Sequence, residues 1–233
     1  MSTSAATPDR YALPELATLV PHLPEARSLA EKAYYLLRDR IISLDLPPGE
    51  ALDERSLMAE LDLGRTPIRE ALRRLADERL VEVAPRRGMF VTPIDIRDLG
   101  AISEVRSEIE AHAGHLAAER ATDEERARVG ELLAMVDATA GAGAAELMRV
   151  DQQVHRFVHA AAHNSYLVGT LEEYYVLALR LWFLVFDQLT GLDGAVAEHR
   201  ALLAAVRDGD GERAAAVLRD HVNGFEEAIR AVL

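Results

Sequence analysis

The stretch LGRTPIREALRRLADERLVEVAPRRGMFVTP, residues 63–93, decides how the first part of this 233-residue chain folds. Its first half carries apolar residues at helical spacing, namely Ile68, Ala71, Leu72, Leu75, Ala76 and Leu80. That spacing predicts a helix, with Thr66 as its N-cap and Pro67 as its first residue, running to about Leu80. The second half holds two β-prone runs, VEV and MFV, on either side of APRRG, which predicts a hairpin.

Two more helices are predicted before this stretch, the second of them short. The first is amphipathic and has to end at the prolines of LPPG, residues 46–49. Asp53 can cap the second, which we expect over 54–61. Three helices with a tight turn between the second and third, followed by a hairpin, are typical of a winged helix-turn-helix. We assign this DNA-binding domain to residues 29–93.

The charge of the whole chain argues against a nucleic-acid partner, since its net value is −13. The acidity is uneven, however, because residues 98–233 hold 23 of the 39 acidic side chains and 12 of the 26 basic ones. Between residues 63 and 88 lie seven arginines and only four carboxylates. This segment is therefore locally positive and can face DNA.

Three of these arginines recur at every fourth residue of the predicted third helix. Arg65, Arg69 and Arg73 leave the same flank of that helix, away from its apolar stripe. An arginine there can donate two hydrogen bonds to guanine in the major groove, or bind phosphates. The alternative is a solvated helix face whose arginines pair with neighbouring acidic residues.

The rest of the chain is free of proline after Pro93 and rich in Ala, Leu, Glu and Arg. It resolves into helical stretches at 96–121, 123–139, 144–163, 167–189, 194–207 and 210–231. The fold class is therefore mainly α: the winged helix-turn-helix, then an all-α bundle of six to seven helices over 97–233. Residues 1–28 carry four prolines without sustained periodicity, which indicates an N-terminal tail or arm.

Several functional classes are disfavoured by composition. The chain has no cysteine, which excludes disulfides, thiolate metal sites and cysteine nucleophiles. It has no apolar run long enough to span a membrane and no secretory signal, so we expect a cytoplasmic protein without a membrane partner.

A metal site is the second candidate feature. Asp151 and His155 lie four residues apart in a predicted helix, and His199 and His221 follow in later helices. One carboxylate and three imidazoles suit a divalent transition metal such as Zn, Mn or Ni. Spacing alone cannot select His155, because His159 and His163 continue the same interval of four.

One long, ordered stretch of the N-terminal part resembles a known protein family. The 63–93 stretch, preceded by LPPGEALDERSLMAEL at 46–61, resembles the winged-helix domain of the GntR family of bacterial transcription regulators. The resemblance implies DNA contacts at Arg55, Arg65, Thr66, Arg69 and Gly88. Arg65 and Arg69 would read bases, Arg55 and Thr66 would bind phosphate, and Gly88 would let the wing backbone approach closely. One departure is Gly64, where the family more often has a small hydroxyl residue.

The second half resembles the FCD ligand-binding domain of the FadR subfamily of that family. The matching strings are DQQVHRFVHAAAHNSYL (151–167), EHRALLAAVRDGD (198–210) and AAAVLRDHV (214–222). The metal ligands of the pattern fall on Asp151, His155, His199 and His221. All four are present, which favours the metal-dependent branch of the subfamily over the fatty-acyl branch.

The resemblance also implies an effector, a small organic acid whose carboxylate meets the buried metal. Arg106 matches a recurrent arginine that could pair with this carboxylate, and Asn164 matches an asparagine of the motif. Each has a simpler alternative: an ion pair with Glu110 for Arg106, and a helix cap for Asn164.

These features together predict a regulator rather than an enzyme. We expect a homodimeric repressor that binds a palindromic operator and responds to the acid at its metal site. The alternative is an all-α metal-dependent hydrolase fused to a winged-helix module, but the chain has no His-Asp dipeptide and no His-Glu-x-x-His run. A third possibility is a DNA-binding protein whose metal is purely structural.

Overall fold

The structure is a computed structural model that describes residues 26–139, 142, 144–185, 188 and 193–232. The chain divides into two compact units, with the boundary between Pro93 and Ile94. The predicted arm over 1–28 lies outside the described residues except for its last three. Gly141, Gly143 and Gly191, which separate predicted helical stretches in the sequence, also lie outside them.

The N-terminal unit has the predicted winged helix-turn-helix fold. Its elements are α1 (Leu29–Ile42), α2 (Glu54–Leu61), α3 (Arg65–Asp77), β1 (Val81–Ala84) and β2 (Gly88–Val91). The apolar stripes of α1 and α3 pack together, and Leu37, Ile41, Leu72 and Leu75 are fully buried between them. Asp53 caps α2, as predicted, by accepting a hydrogen bond from the Ser56 N–H.

The start of α3 differs from the prediction. The helix begins at Arg65, and Gly64 is its N-cap without a side-chain hydrogen bond, so the prediction that Thr66 caps the helix is wrong. Gly64 already has the extended conformation that an N-cap needs. Pro67 is the third helical residue, where its missing N–H has no partner inside the helix in any case. The Thr66 hydroxyl is therefore left exposed on the first turn.

The hairpin is antiparallel, with Val81 opposite Val91 and Ala84 opposite Gly88. A short segment after LPPG adds to its outer edge: the Leu52 N–H donates to the Met89 carbonyl, and the Val91 N–H donates to the Glu50 carbonyl. The sequence predicted only that LPPG ends α1. In the structure the residues that follow it also extend the sheet.

The C-terminal unit is the predicted all-α bundle, with six helices among its described residues. They are α4 (Asp98–Arg120), α5 (Asp123–Ala138), α6 (Ala144–Ala161), α7 (Ser165–Val185), α8 (Asp193–Asp208) and α9 (Gly211–Val232). Helix α4 packs against α6, α7, α8 and α9. Gly114 permits the closest approach of α4 to α9, because a Cβ there would lie 2.6 Å from the Leu218 Cδ1 and 3.1 Å from the Ala214 carbonyl oxygen.

The helix ends are set by local chemistry. Thr122 and Glu125 form a capping box at the start of α5. Helix α6 ends at Ala161 rather than at residue 163, because His163 takes the left-handed conformation with φ 49°. The Asn164 side-chain oxygen then accepts a hydrogen bond from the Leu167 N–H and caps α7. Within the described residues, none of the helices has the length and apolar character needed to cross a membrane.

Candidate functional site

The exposed side of α3 carries the two arginines predicted to read DNA bases. The side chains of Arg65 and Arg69 are 66% and 64% exposed. Both reach Glu54 in the first turn of α2: the Arg69 Nε donates to Oε1 at 2.9 Å, and the Arg65 Nε lies 3.4 Å from Oε2. The Glu54 carboxylate therefore contacts both guanidinium groups on the exposed side of α3.

The other residues predicted to contact DNA are also exposed. Arg55 lies next to Glu54 in α2, and Thr66 lies on the first turn of α3. Gly88 begins β2 with φ 109°, a conformation that favours glycine. At the wing tip, the Arg87 guanidinium lies 5.8 Å from the Phe90 ring centroid. The assignment of these five residues to DNA contacts stays a prediction.

The metal-site prediction concerns residues on three different helices of the C-terminal unit. Asp151 and His155 come from α6, His199 from α8 and His221 from α9. The structure brings them together, and their ligating atoms all lie within 4.8 Å of one another. The three histidines are almost fully buried. We call these four residues the Asp-His cluster.

In the Asp-His cluster, three histidine nitrogens lie around one carboxylate oxygen. The Nε2 atoms of His199, His221 and His155 lie 3.1, 3.5 and 3.6 Å from the same oxygen, Oδ1 of Asp151. The His155 Nε2 is buried and has no hydrogen-bond partner among the described residues. A buried nitrogen of this kind is costly unless something binds it. A cation held between the imidazoles and the carboxylate would satisfy it, so the residues present fit a divalent metal.

Three of the four ligands, namely His155, His221 and Asp151, are held on their opposite edge by a second polar group. The His155 Nδ1 lies 3.2 Å from Glu110, and the His221 Nδ1 lies 2.7 Å from Glu198. The Tyr175 hydroxyl donates to the second oxygen of Asp151 at 2.8 Å. Such partners fix the orientation of metal-binding histidines and carboxylates. Here they direct Nε2 of both imidazoles and Oδ1 toward the centre of the cluster.

The pKa values of the cluster residues are shifted in different directions. Burial raises the pKa of Asp151, but the charge of His155 and hydrogen bonds from His199 and His221 outweigh it and hold the pKa well below its usual range. Burial lowers the pKa of His155. Burial also disfavours the charged form of His221, yet its bonds to Asp151 and Glu198 raise its pKa to about 9. A metal binding at this cluster would therefore displace a proton from His221.

Glu110 is a site residue whose role the sequence reading missed. It is fully buried in α4, and its Oε2 atom lies 2.8 Å from the His159 Nε2 as well as near His155. The Arg106 Nη2 donates to its other oxygen at 3.2 Å. Glu110, His155 and His159 form a second group able to hold a cation. The sequence showed Glu110 only as a neighbour of Arg106, because its histidine partners belong to another helix.

A cavity opens onto the Asp-His cluster. Its volume is about 660 Å³ including the opening, and Arg106 and Tyr175 line it together with all four cluster residues. Arg106 forms the ion pair with Glu110 and also lines the cavity, while its contact with an effector stays a prediction. Asn164 does not line the cavity within the described part of the chain, and its carboxamide caps α7. The geometry favours the helix cap for Asn164, while an effector contact stays a prediction.

The arrangement gives no support to a hydrolase. Such an enzyme needs a free general base facing the metal-bound water. Among the described residues that line the cavity, Asp151 is the sole carboxylate, and it belongs to the cluster itself. Glu110 and Glu198 are each engaged by a histidine on the outer side.

Two family models match the chain. The model for the bacterial regulatory proteins of the gntR family matches residues 29–91, and the model for the FCD domain matches residues 101–224. The two matches fall on the winged helix-turn-helix and on the helical bundle, respectively. The FCD match alone covers more than half of the chain.

Two proteins of similar sequence are transcriptional regulators, in agreement with the two family models. The chain is 30% identical over 198 residues to the HTH-type transcriptional repressor GlaR of Escherichia coli, which covers 81% of this chain and 90% of that repressor. It is 32% identical over 130 residues to the Nta operon transcriptional regulator of Aminobacter aminovorans, covering 56% of this chain and 62% of that regulator.

Among solved structures, E. coli McbR/YncC shares the fold, with a TM-score of 0.72 and 24% identity over 86% of this chain and 98% of that one. The relative GlaR, which matches this chain over most of its length, is a transcriptional repressor, and the N-terminal family model is that of bacterial regulatory proteins. This chain therefore belongs to the GntR family of bacterial regulatory proteins, in the group that carries an FCD domain, and is a DNA-binding transcription regulator.

Proposed function

We propose that this regulator is a homodimeric repressor whose operator binding is controlled by a small organic acid held at a divalent transition metal. The observation that carries the proposal is the convergence of three buried imidazole nitrogens on one carboxylate oxygen, beside a cavity lined by Arg106. Zn, Mn and Ni all accept this set of ligands.

The DNA-binding half of the proposal rests on the exposed arginines of residues 29–93. Arg65 and Arg69 would enter the major groove, and Arg55 and Thr66 would bind phosphate on its borders. Gly88 would let the wing backbone approach the DNA. One recognition helix reads one half-site, so a two-fold dimer would bind a palindromic operator. Acting on chromosomal DNA would place the protein in the bacterial cytoplasm.

The effector half rests on the charges that face the cavity. A metal bound by Asp151, His155, His199 and His221 would supply a positive centre that attracts a carboxylate oxygen. Arg106 lines the same cavity, and its Nε is buried with no hydrogen-bond partner among the described residues. That N–H could donate to the ligand while Nη2 stays bound to Glu110.

The acid would act by shifting an equilibrium between two dimer geometries. It binds groups on α4, α6, α8 and α9, and it favours whichever geometry holds those helices in the binding arrangement. If this geometry misplaces the two recognition helices, the operator is released. The size of the response is limited by the difference between the affinities of the acid for the two states.

A thermal-shift screen tests the proposal. Small organic acids should raise the melting temperature of the metal-loaded protein, because a ligand of the native state alone stabilises that state. The same acids should have no effect after the metal is removed by a chelator. Acids that pass should then release the protein from DNA. Stabilisation by metal with no response to any acid would instead indicate a structural ion, and turnover of an acid would support the hydrolase.

A further inference from the structure

We propose that the effector is a monocarboxylic acid with an apolar body, an alkyl chain or an aromatic ring, and not a polyhydroxylated or dicarboxylic acid. The inference rests on the proposed function, because it takes the carboxylate to bind beside the Asp-His cluster. It goes further in specifying the remainder of the ligand from the walls of the cavity.

The hydroxyl donors of the cavity are already engaged. The Tyr175 hydroxyl donates to Asp151 at 2.8 Å, and the Thr139 hydroxyl donates to the Val136 carbonyl at 2.7 Å. The outer nitrogens of His155 and His221 face Glu110 and Glu198. Little is therefore left in the described lining to bond the hydroxyl groups of a ligand.

The positive charge in the cavity is sufficient for one carboxylate. Outside the Asp-His cluster, Arg106 is the only cationic side chain among the described residues that line the cavity. It already shares its charge with Glu110. A second carboxylate on the ligand would have to be buried without a cation, which is strongly unfavourable.

The rest of the lining is apolar. It comes from α6, α7 and α9, and its largest members are Leu147, Met148, Leu179, Trp182 and Phe225. An apolar wall binds the part of the ligand that carries no polar groups. A ligand hydroxyl placed against these side chains would lose its hydrogen bonds to water without replacement.

Four six-carbon probes separate the possibilities. Isothermal titration calorimetry on the full-length protein should compare hexanoate, gluconate, adipate and hexanamide. The protein is first loaded with Zn²⁺, and the titrations are then repeated with Mn²⁺ and with Ni²⁺. Gluconate adds hydroxyl groups to the hexanoate skeleton, adipate adds a second carboxylate, and hexanamide removes the charge. We expect hexanoate to bind at least about 100-fold more tightly than gluconate or adipate. Phenylacetate should bind in the range of hexanoate.

A variant of the apolar wall provides a second readout. Met148 lies in the cavity lining and is 4% exposed, so Met148→Gln adds an amide to the wall with little change in volume. This variant should weaken hexanoate binding about tenfold and reduce the preference for hexanoate over gluconate. Met135→Gln is the matched control, since Met135 packs on the bundle core but does not line the cavity. It should leave both affinities unchanged.

The outcomes distinguish this inference from the proposed function. Tighter binding of gluconate or adipate than of hexanoate would overturn the apolar body and leave a metal-bound acid as the effector. Equal binding of hexanamide and hexanoate, or no binding of any acid to metal-loaded protein, would overturn the carboxylate and with it the proposed function. If Met148→Gln and Met135→Gln both keep the wild-type preference for hexanoate, the assignment of the apolar wall as the ligand-binding surface is wrong.

Discussion

Glu54 contacts both of the arginines that we propose to read DNA bases. Its carboxylate bonds Arg69 and lies close to Arg65, although both arginines are mostly exposed. Exposed ion pairs contribute little to stability, so DNA can compete for these guanidinium groups at small cost. The sequence-based alternative paired these arginines with neighbours such as Glu70. The structure shows a partner on a different helix instead.

The arginines provide the first prediction. Arg65→Ala or Arg69→Ala should weaken operator binding by about 1–3 kcal/mol and relax specificity at the base that each reads. Fluorescence anisotropy with operator duplexes carrying single base changes measures both effects. Arg128→Ala, an exposed position of α5, should change neither. Unaltered affinity and specificity in both α3 variants would refute the recognition-helix assignment.

The choice among three histidines spaced four residues apart, two in α6 and one just after it, illustrates what a sequence leaves open. His155, His159 and His163 share a spacing of four, so periodicity treats them alike. In the structure His155 faces His199 and His221 from α8 and α9, while His159 faces Glu110. His163 is half-exposed and bonds Glu125. The three histidines differ in their contacts with helices that are distant in sequence. A local sequence pattern does not show such contacts.

Glu110 gives the second prediction at this scale. Glu110→Gln removes the buried charge behind His155, so metal affinity should fall about 10- to 100-fold, as for other outer partners of metal ligands. Competition with a chelating dye measures this change. Glu108→Gln is the matched control, because Glu108 lies two residues away on α4, is exposed and pairs with Arg219. Equal metal affinity in both variants would mean that Glu110 does not position His155.

At the scale of helices and strands, the sequence predicted every described helix and both strands of the hairpin. Apolar spacing and capping residues indicated the first three helices, β-prone runs indicated the hairpin, and a proline-free, helix-favouring composition indicated the bundle. Their ends were harder to predict, because backbone conformation at one residue decides them. Gly64 takes the capping position that Thr66 was expected to fill, and the left-handed conformation of His163 ends α6 early. The short strand-like segment beside β2 was missed because its pairing depends on the hairpin being in place.

The close approach of α4 and α9 gives the third prediction. Gly114→Ala places a methyl group against the Leu218 side chain and the Ala214 backbone, and should lower the free energy of unfolding by about 1–3 kcal/mol. The control is Gly130→Ala in α5, where nothing lies within 4 Å of the added Cβ. That change should stabilise the protein by about 0.5–1 kcal/mol. Urea unfolding measures both, and stabilisation by Gly114→Ala would contradict the described packing.

For the whole molecule, the net charge of −13 proved a poor guide to function. The excess of acidic side chains lies mainly in the helical bundle, and charges farther apart than about 8 Å are largely screened at physiological ionic strength. The exposed arginines of α3 act at shorter range. Local charge on the winged unit therefore bears on DNA binding more than the total does.

The proposed dimer gives the fourth prediction. DNA selected from random duplexes by the full-length protein should contain two inverted half-sites, with centres separated by about one helical turn or a multiple of it. Footprinting should show protection on both half-sites at one protein concentration. Selection of single, asymmetric sites would contradict a two-fold dimer as the DNA-binding form.

The central claim is that Asp151, His155, His199 and His221 hold a metal ion, and metal content tests it most directly. After loading and desalting, mass spectrometry should find about one transition-metal ion per wild-type chain at this set of ligands. The His199→Ala/His221→Ala variant should hold none, lose its response to acids and still bind DNA. A control variant, His112→Ala/His163→Ala, changes two histidines outside the cluster and should retain the metal. Full metal occupancy in the His199→Ala/His221→Ala variant would contradict the claim.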